Sequence, residues 1–282
     1  MAVFPFGEAA GPRPPRRPAA DVAKVFVLGV YPSALHVRWT LPSARPEGLP
    51  AVVGALAVAD EPTVFWDGAD ADRLVAEWAE RRGFRTGDGL GDHGRVTAAG
   101  NGTSGRPVRD KALQRLGVDV RDVWFTDAVD SFFVKKGTAG RNQQGDVIER
   151  VYNRFADSRN GLERADLPER PSVDQLVELA VTEHRARLRM ELVEADAPIL
   201  ITLGEEARRV LAGIADEAAG PPLTPLTRGP AVAAAYGRPG SVTIDNRTIG
   251  RWYALAHPGN RDTYWAGLHA SWTPEPAGRR ER

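Results

Sequence analysis

The chain has 282 residues, of which 42% are hydrophobic, and its 37 basic side chains balance 37 acidic ones. This length allows a substantial core, and zero net charge implies no global attraction to nucleic acid. The absence of cysteine excludes disulfides, thiolate nucleophiles and cysteine-ligated zinc or iron-sulfur centres. The sequence shows no apolar run long enough to cross a membrane and no apolar signal-peptide core, so we expect a cytoplasmic protein.

The amino terminus differs in composition from the rest of the chain. Residues 1–20 are rich in proline, glycine and arginine and hold few apolar residues. This composition is typical of a tail or of an extension wrapped on a domain. Because the linkers inside the chain are short, we divide it into a flexible tail (1–20), one α/β domain (21–274) and a C-terminal tail (275–282).

The stretch from Val22 to His36, VAKVFVLGVYPSALH, begins with a nearly continuous apolar run. Such a run predicts a strand that is covered on both faces, as in a parallel sheet. The strand breaks at Gly29 and cannot continue through Pro32. Ligands of open α/β sheets bind beyond the carboxyl ends of the strands, so the candidate site begins at this loop.

Further apolar patterns predict alternating strands and helices. Strands are predicted at Val37–Leu41, Val52–Ala59, Thr63–Trp66, Val120–Val129 and Pro198–Gly204. Helices are predicted at Ala71–Arg82, Pro107–Leu116, Asp146–Phe155, Val173–Leu192 and Glu205–Ala218. Near the end of the chain, 242–244 and 249–256 form either a hairpin or one bent strand. The alternation predicts a three-layer α/β/α fold with a central, mostly parallel four-stranded sheet plus accessory β-strands.

Four predicted strands end in distinctive sequences: GVYPSALH, TDAVDSFFVKKG, LGEEA and HPGNRDTYW. Because the loops at strand ends converge on one side of such a sheet, these sequences define one cleft. The residues expected around it are Gly29, Tyr31, Pro32, His36, Asp127, Gly204 and His257.

These strand ends resemble those of the uracil-DNA glycosylase superfamily. Its members combine a Gly-x-x-Pro loop after the first strand, a base-reading Asn, a Leu-Gly-x-x-Ala segment and a late His-Pro-Ser loop. The similar residues here are Gly29-Val30-Tyr31-Pro32, Thr126-Asp127, Leu203-Gly204-Glu205-Glu206-Ala207 and His257-Pro258-Gly259. The stretch Asn101-Gly102-Thr103-Ser104-Gly105 is similar to a glycine-containing segment of several branches, and the resemblance spans residues 22–272.

The resemblance implies a DNA repair glycosylase. Such a hydrolase flips a damaged or deaminated base, uracil or a related one, out of DNA and hydrolyses its N-glycosidic bond in base excision. The implied partner is single- or double-stranded DNA containing a damaged base. We expect a monomer that binds no membrane and uses no metal or other cofactor.

The resemblance also implies roles for individual residues. The catalytic candidates are His257, Asp127 and His36. Backbone N–H groups and an aromatic ring would hold the base, with candidates Gly29, Val30, Tyr31, Pro32, Ser33, Asp127 and Phe132. A basic rim and the His-Pro loop would contact the nucleic acid, with candidates Lys135, Lys136, Arg141, Gly204, Pro258, Gly259, Asn260 and Arg261.

Two departures from the family pattern concern the chemistry. Val30 and Tyr31 stand where family members carry a water-activating carboxylate or amide, and the replacement candidates are Asp127, Asp130 and His36. Asp127 itself stands in place of the base-reading Asn. An ionised carboxylate only accepts hydrogen bonds, so uracil fits only a protonated Asp127, whereas a base with N–H donors fits the ionised form.

The missing water activator leaves an alternative function, a catalytically silent nucleic-acid or nucleotide-binding protein on the same fold. An esterase-type hydrolase is a third interpretation. It is disfavoured because Ser33 and Ser104 lack the nucleophile-elbow pattern of such enzymes.

Overall fold

The computed structural model describes residues 1–85, 87–96, 100–137, 143–159, 161–257, 259–260 and 262–274. Two β-sheets organise this part of the chain, a mostly parallel sheet of six strands and an antiparallel sheet of three. The predicted C-terminal tail, 275–282, lies outside the described residues.

The strands and helices follow one another along the whole chain. The strands are β1 (Val25–Gly29), β2 (Ala34–Thr40), β3 (Val52–Asp60), β4 (Asp92–Gly94), β5 (Val123–Asp127), β6 (Ile199–Leu203), β7 (Glu217–Ala219), β8 (Gly240–Ile244) and β9 (Arg247–Leu255). The helices are α1 (Ala71–Arg81), α2 (105–116), α3 (144–157), α4 (Val173–Thr182), α5 (Arg185–Ala195), α6 (Glu205–Ile214), α7 (Pro230–Ala235) and α8 (Thr263–Ser271). The middle turns of α2 and α3 are π-helical, at Arg109–Leu113 and Ile148–Asn153.

The large sheet has the strand order β5-β1-β6-β9-β8-β7. Its first four strands are parallel, and β8 and β7 extend it in antiparallel fashion. Every residue of β1, β5 and β6 is buried, as expected for strands covered on both faces. The mostly parallel α/β sheet is therefore confirmed, with six strands where the sequence predicts four.

Side chains of the parallel strands alternate between two hydrophobic clusters. Phe26 and Leu200 belong to a cluster with buried residues of α4, α5 and α6. Val27 and Ile201 point the other way, into a cluster with buried residues of α2. The helices thus leave the strand ends, rather than the faces of the sheet, open for a site. No helix in the described ranges is long and apolar enough to cross a membrane.

The antiparallel sheet, in the order β3-β2-β4, has its own core, and the amino-terminal segment is part of it. Phe4 and Phe6 are buried there, and the Phe6 ring lies edge-on to Trp39 with ring centres 5.4 Å apart. Arg16 adds a backbone pairing to β5. The first twenty residues are therefore the wrapped extension rather than a flexible tail, because two phenylalanines supply the apolar surface that offsets the entropy of ordering them.

Some predicted elements differ in the structure. The predicted helix Glu205–Ala218 ends at Ile214, and Ala218 lies in β7. The predicted strand Thr63–Trp66 forms turns, since Phe65 has a left-handed φ of 53° that a regular strand does not accommodate. The predicted helix Val173–Leu192 is two helices, α4 and α5. A turn at Glu183 and a bend at His184 separate them, and His184 has φ −103° and ψ 0°, outside regular helix geometry.

The two possibilities for residues 242–256 are decided in favour of the hairpin, formed by β8 and β9. Asp245 and Asn246 connect the strands with φ values of 50° and 64°. Two consecutive left-handed residues match the twist of a two-residue hairpin turn.

Replacing Phe4 by Ala should lower the free energy of unfolding by about 3–5 kcal/mol, the usual cost for a buried phenylalanine. The Phe4 ring is fully buried and stacks on Phe132 with ring centres 5.4 Å apart. Urea unfolding followed by tryptophan fluorescence measures the loss. Met190→Ala is the control, because its side chain is 61% exposed and its loss should stay within about 0.5 kcal/mol. Equal losses in both variants would contradict the packing of the amino-terminal segment.

Candidate functional site

A cavity of about 420 Å³ opens at the carboxyl edge of the parallel strands. In the strand order β5-β1-β6-β9, the chain leaves β1 toward β5 and leaves β6 toward β9, so the two connections diverge and open a crevice between β1 and β6. The strand ends contribute Gly29, Asp127, Leu203, Gly204 and His257 to its lining. Segments distant in sequence therefore meet around one hollow, as the strand-end sequences predict.

The loop after β1 forms one wall and is fixed from three directions. The Val30 carbonyl accepts a hydrogen bond from the backbone beyond β5 at 3.0 Å. The Tyr31 ring lies edge-on to Phe133 with ring centres 5.7 Å apart. The Ser33 N–H donates to Glu61 Oε1 at 3.2 Å. This N–H is one of the donors expected to hold the base oxygen. In the structure it already donates to the Glu61 carboxyl group.

Gly29 and Asp127 face each other at the ends of paired parallel strands. A Cβ atom on residue 29 would lie 2.1 Å from Asp127 Oδ1 and 2.6 Å from Phe65 Cζ. Only glycine leaves room for the carboxyl group, which is 5% exposed and contributes to the cavity lining. The glycine that ends β1 thus sets where the Asp127 carboxyl lies.

Arg187 on α5 supports the end of β5 from behind. It donates to the backbone carbonyls of Asp127 and Ala128 at 2.9 and 3.0 Å. It also forms an ion pair with Glu191 at 2.9 Å. Burial raises the pKa of Asp127 to about 7, while the charge of Arg187 opposes the rise and that of Glu191 adds to it. Near neutral pH, Asp127 is therefore present both as an acid and as a carboxylate.

A second buried carboxyl group, Glu61, lies in the cavity wall directly after β3. It is 2% exposed. Burial, followed by the charge of Asp127, raises the pKa of Glu61 to about 8. Sequence reasoning missed this residue because β3 belongs to the antiparallel sheet. Its position immediately after a strand is the one feature that it shares with the predicted site residues.

His257 follows β9 and contributes a neutral imidazole to the cavity. Its Nδ1 accepts the Gly259 N–H at 3.1 Å, so the neutral ring carries its proton on Nε2. Burial and then the Lys135 charge lower the pKa of His257 to about 4, and Glu206 opposes this in part. At neutral pH the ring is a hydrogen-bond donor without a charge, the form that its expected role requires.

His36 on β2 also lines the cavity. Burial lowers its pKa to about 4, and within the described residues its buried Nδ1 has no hydrogen-bond partner. The Asn101 side chain fixes the His36 backbone, accepting its N–H at 2.9 Å and donating to its carbonyl at 3.0 Å. The segment that begins at Asn101 places Thr103 and Ser104 on the cavity wall.

Aromatic rings form much of the remaining wall, a surface suited to stacking on a planar ligand. The rings are those of Tyr31, Phe65, Phe132 and Phe133. Sequence reasoning found Tyr31 and Phe132 and missed the other two. Phe65 was missed because its segment was assigned to a strand.

The predicted basic rim is only partly formed by the residues named for it. Lys135 is exposed and lines the cavity, whereas Lys136 forms an ion pair with Glu169 at 2.8 Å. Arg170, which sequence reasoning missed, lies over the Tyr31 ring at 5.6 Å from its centre. Arg170 also forms an ion pair with Glu206 at 2.5 Å, so its charge is largely compensated.

The remaining candidates occupy the loops beside the cavity. The Gly204 N–H donates to the Leu255 carbonyl at 2.8 Å and joins the ends of β6 and β9. A Cβ atom on Gly259 would lie 2.8 Å from the Thr103 carbonyl oxygen, so two loops meet closely there. Asn260 is exposed and accepts the Asp262 N–H at 3.0 Å. Three predicted contacts, Arg141, Pro258 and Arg261, lie outside the described residues.

Asp130, a candidate for water activation, is not among the described residues that line the cavity. It accepts a hydrogen bond from Ser131 Oγ at 3.2 Å. Within the described ranges, no group of three His, Asp or Glu side chains is arranged to hold a metal ion. The titratable side chains among the described lining residues are those of Tyr31, His36, Glu61, Asp127, Lys135, Arg170, Glu206 and His257.

No model of a known protein family matches the chain, and no curated protein matches it at a significant level. The likeness to the uracil-DNA glycosylase superfamily therefore depends on the strand-end residues.

Asp127→Asn should gain stability relative to the wild type as the pH rises. The folded-state pKa of about 7 exceeds the unfolded value of about 4. The Asp127 carboxyl therefore lowers the stability of the wild type progressively between these pH values, with no further loss above about pH 7. Asparagine does not titrate and lacks this loss. Urea unfolding of both proteins at pH 4.5, 6 and 8 measures the difference.

Asp119→Asn provides a control of opposite sign. Hydrogen bonds from Arg121 lower the pKa of Asp119 to about 2, so this variant should lose relative stability only between about pH 2 and 4 and should differ from the wild type by a constant amount at pH 4.5, 6 and 8. A stability difference between Asp127→Asn and the wild type that stays constant from pH 4.5 to 8 would contradict the raised pKa of Asp127.

Proposed function

We propose that the protein is a DNA repair glycosylase that binds a flipped-out damaged or deaminated base and hydrolyses its N-glycosidic bond. The observation that carries this proposal is the convergence of the Gly29 loop, Asp127 and His257 on one aromatic cavity. Helices pack on both faces of the parallel sheet, which supports assigning the domain to the three-layer α/β/α class.

The cavity suits a planar base in size and lining. Its volume of about 420 Å³ falls in the range of small-molecule sites. Tyr31 and Phe132 offer stacking surfaces, and Asp127 offers a polar group for the edge of a base. A base inside a duplex cannot reach such a hollow, so the proposal requires that the base be unstacked first.

His257 supplies the stabilisation that bond cleavage requires. As the N-glycosidic bond breaks, negative charge develops on the base and positive charge on the sugar. The Nε2–H of a neutral imidazole can donate to the base, and one such donor contributes about 3 kcal/mol of transition-state stabilisation. With a pKa near 4, the ring keeps this form throughout the neutral range.

Asp127 determines which base fits. In its acid form, the carboxyl O–H donates to O4 of uracil and the carbonyl oxygen accepts from N3–H, the pair of contacts that an asparagine would make. In its ionised form it only accepts, which favours bases with N–H donors at that edge. Because the pKa is about 7, uracil should fit best below neutral pH.

The wild type should release free base from labelled oligonucleotides that contain uracil, 5-fluorouracil or hypoxanthine, tested as single strands and duplexes. His257→Ala should lower the release rate about 100-fold or more, because the departing base loses its donor. Single-turnover assays with chromatographic separation of the free base measure the rate.

His184→Ala is the matched control, since His184 is absent from the described cavity lining and its loss should leave the rate nearly unchanged. The alternative function, a catalytically silent binder, is motivated by the lack of a water-activating side chain at Val30 and Tyr31. Tight binding of oligonucleotides with no base released by the wild type would establish it and overturn the glycosylase proposal.

The logarithm of DNA affinity falls linearly with the logarithm of salt concentration, and each phosphate contact adds roughly one unit to this slope. Lys135→Ala should therefore reduce the slope by about one unit. Lys136→Ala should change the slope less, because its ammonium group pairs with Glu169 at 2.8 Å. Fluorescence anisotropy at increasing salt concentrations gives both slopes. An unchanged slope for Lys135→Ala would mean that the DNA backbone lies elsewhere.

A further inference from the structure

We propose that Glu61 is the proton donor to the departing base, a role that rests on the glycosylase function proposed above. The first loop of the cavity carries no acid or amide of its own, since Val30 and Tyr31 occupy the relevant positions. Glu61 reaches the same loop from β3, at the other side of the cavity wall, and its carboxyl group is held there by the Ser33 N–H at 3.2 Å.

The geometry leaves half of the carboxyl group free for a ligand. Oε1 is anchored by Ser33, while within the described residues no hydrogen bond reaches Oε2. The side chain is 2% exposed and lies in the lining of the cavity. An anchored acid whose second oxygen has no partner among the described residues, beside an aromatic hollow, has a defined position relative to a bound base.

The surroundings keep the proton on Glu61. Burial is the leading cause of its raised pKa, and the charges of Asp127 on β5 and Asp60 on β3 also favour the acid form. Arg13 of the amino-terminal segment opposes them, and it is turned in part toward the Pro62 carbonyl, to which it donates at 2.6 Å. His36 on β2, the other titratable group at this wall, is neutral near pH 7 because burial lowers its pKa to about 4.

The step balances without a cofactor. The bond between C1′ of the sugar and the base nitrogen breaks, and its electron pair passes to the base. The proton of Glu61 moves to an acceptor atom of the base, which leaves as a neutral molecule. Water adds to the sugar cation at C1′, and the proton that this water releases returns to the Glu61 carboxylate. The products are free base and an abasic sugar, and Glu61 ends as an acid.

Glu61→Gln tests the role with little change in shape, because the amide oxygen can still accept the Ser33 N–H. Uracil and 5-fluorouracil oligonucleotides are compared, since the fluorinated base is the more acidic one and leaves more readily without a proton. We expect Glu61→Gln to lower uracil release about 100-fold, within the usual range for a general acid. The fold loss for 5-fluorouracil should be about ten times smaller or less. If Glu61→Gln lowers the release of both bases by the same factor, Glu61 only supports the loop and the proposal is overturned.

The pH profile provides a second measurement that the wild type alone can supply. Uracil release should fall above about pH 8, where Glu61 loses its proton, and 5-fluorouracil release should fall less. Glu61→Gln should lack this alkaline decline, while the titration of Asp127 remains in both proteins. A wild-type profile that declines equally for the two bases above pH 8 would contradict the proposal even if the variant did not fold.

Glu217→Gln is the matched control. This carboxyl group is exposed on β7, the edge strand at the far end of the sheet from β5, and is not among the described lining residues, so base release should stay near the wild-type rate. If the wild type releases uracil and Glu61→Gln equals it, the donor role fails and the glycosylase function stands. If the wild type releases neither base, the glycosylase function fails and the donor role fails with it.

Discussion

The close approach of Gly29 and Asp127 is the constraint on which the cavity depends. Their strands pair in parallel register, and a Cβ atom at residue 29 would come within 2.1 Å of the carboxyl oxygen. Arg187 binds the backbone carbonyls behind Asp127 rather than its carboxyl group. Burial therefore still disfavours the charged form of the Asp127 carboxyl group, and this raises its pKa at the place where a ligand would bind.

The large sheet and the convergence of its strand ends were predictable from sequence, because both follow from local patterns. Continuous apolar runs identify β1, β5 and β6 as buried parallel strands. Once the strands are parallel, their carboxyl ends share one edge, and Asp127, Gly204 and His257 must lie near one another. Gly29 and Gly204 could be placed for the same reason, because each lies at the carboxyl end of a parallel strand.

Other parts of the site depend on tertiary contacts that no local pattern records. Glu61 ends a strand of the other sheet, and only the packing of the two sheets brings it to the cavity. Arg170 lies in a stretch between α3 and α4 without regular structure. The burial of Phe4 and Phe6 could not be predicted from composition. Proline and arginine dominate the average composition of the first twenty residues, whereas these two aromatic rings determine how the segment packs.

Burial moves four acid-base groups of the cavity toward their uncharged forms. It is the leading cause of the lowered pKa values of His36 and His257 and of the raised values of Asp127 and Glu61. Near neutral pH the two imidazoles are therefore neutral, Glu61 is mainly in its acid form and Asp127 is partly ionised, and all four keep hydrogen-bonding atoms. Such an interior accepts a neutral, polar, planar base more readily than a phosphate, whose desolvation it could not offset. Under the proposed function, phosphates would contact the exposed Lys135, so that the base and the DNA backbone would be bound in two environments of different polarity.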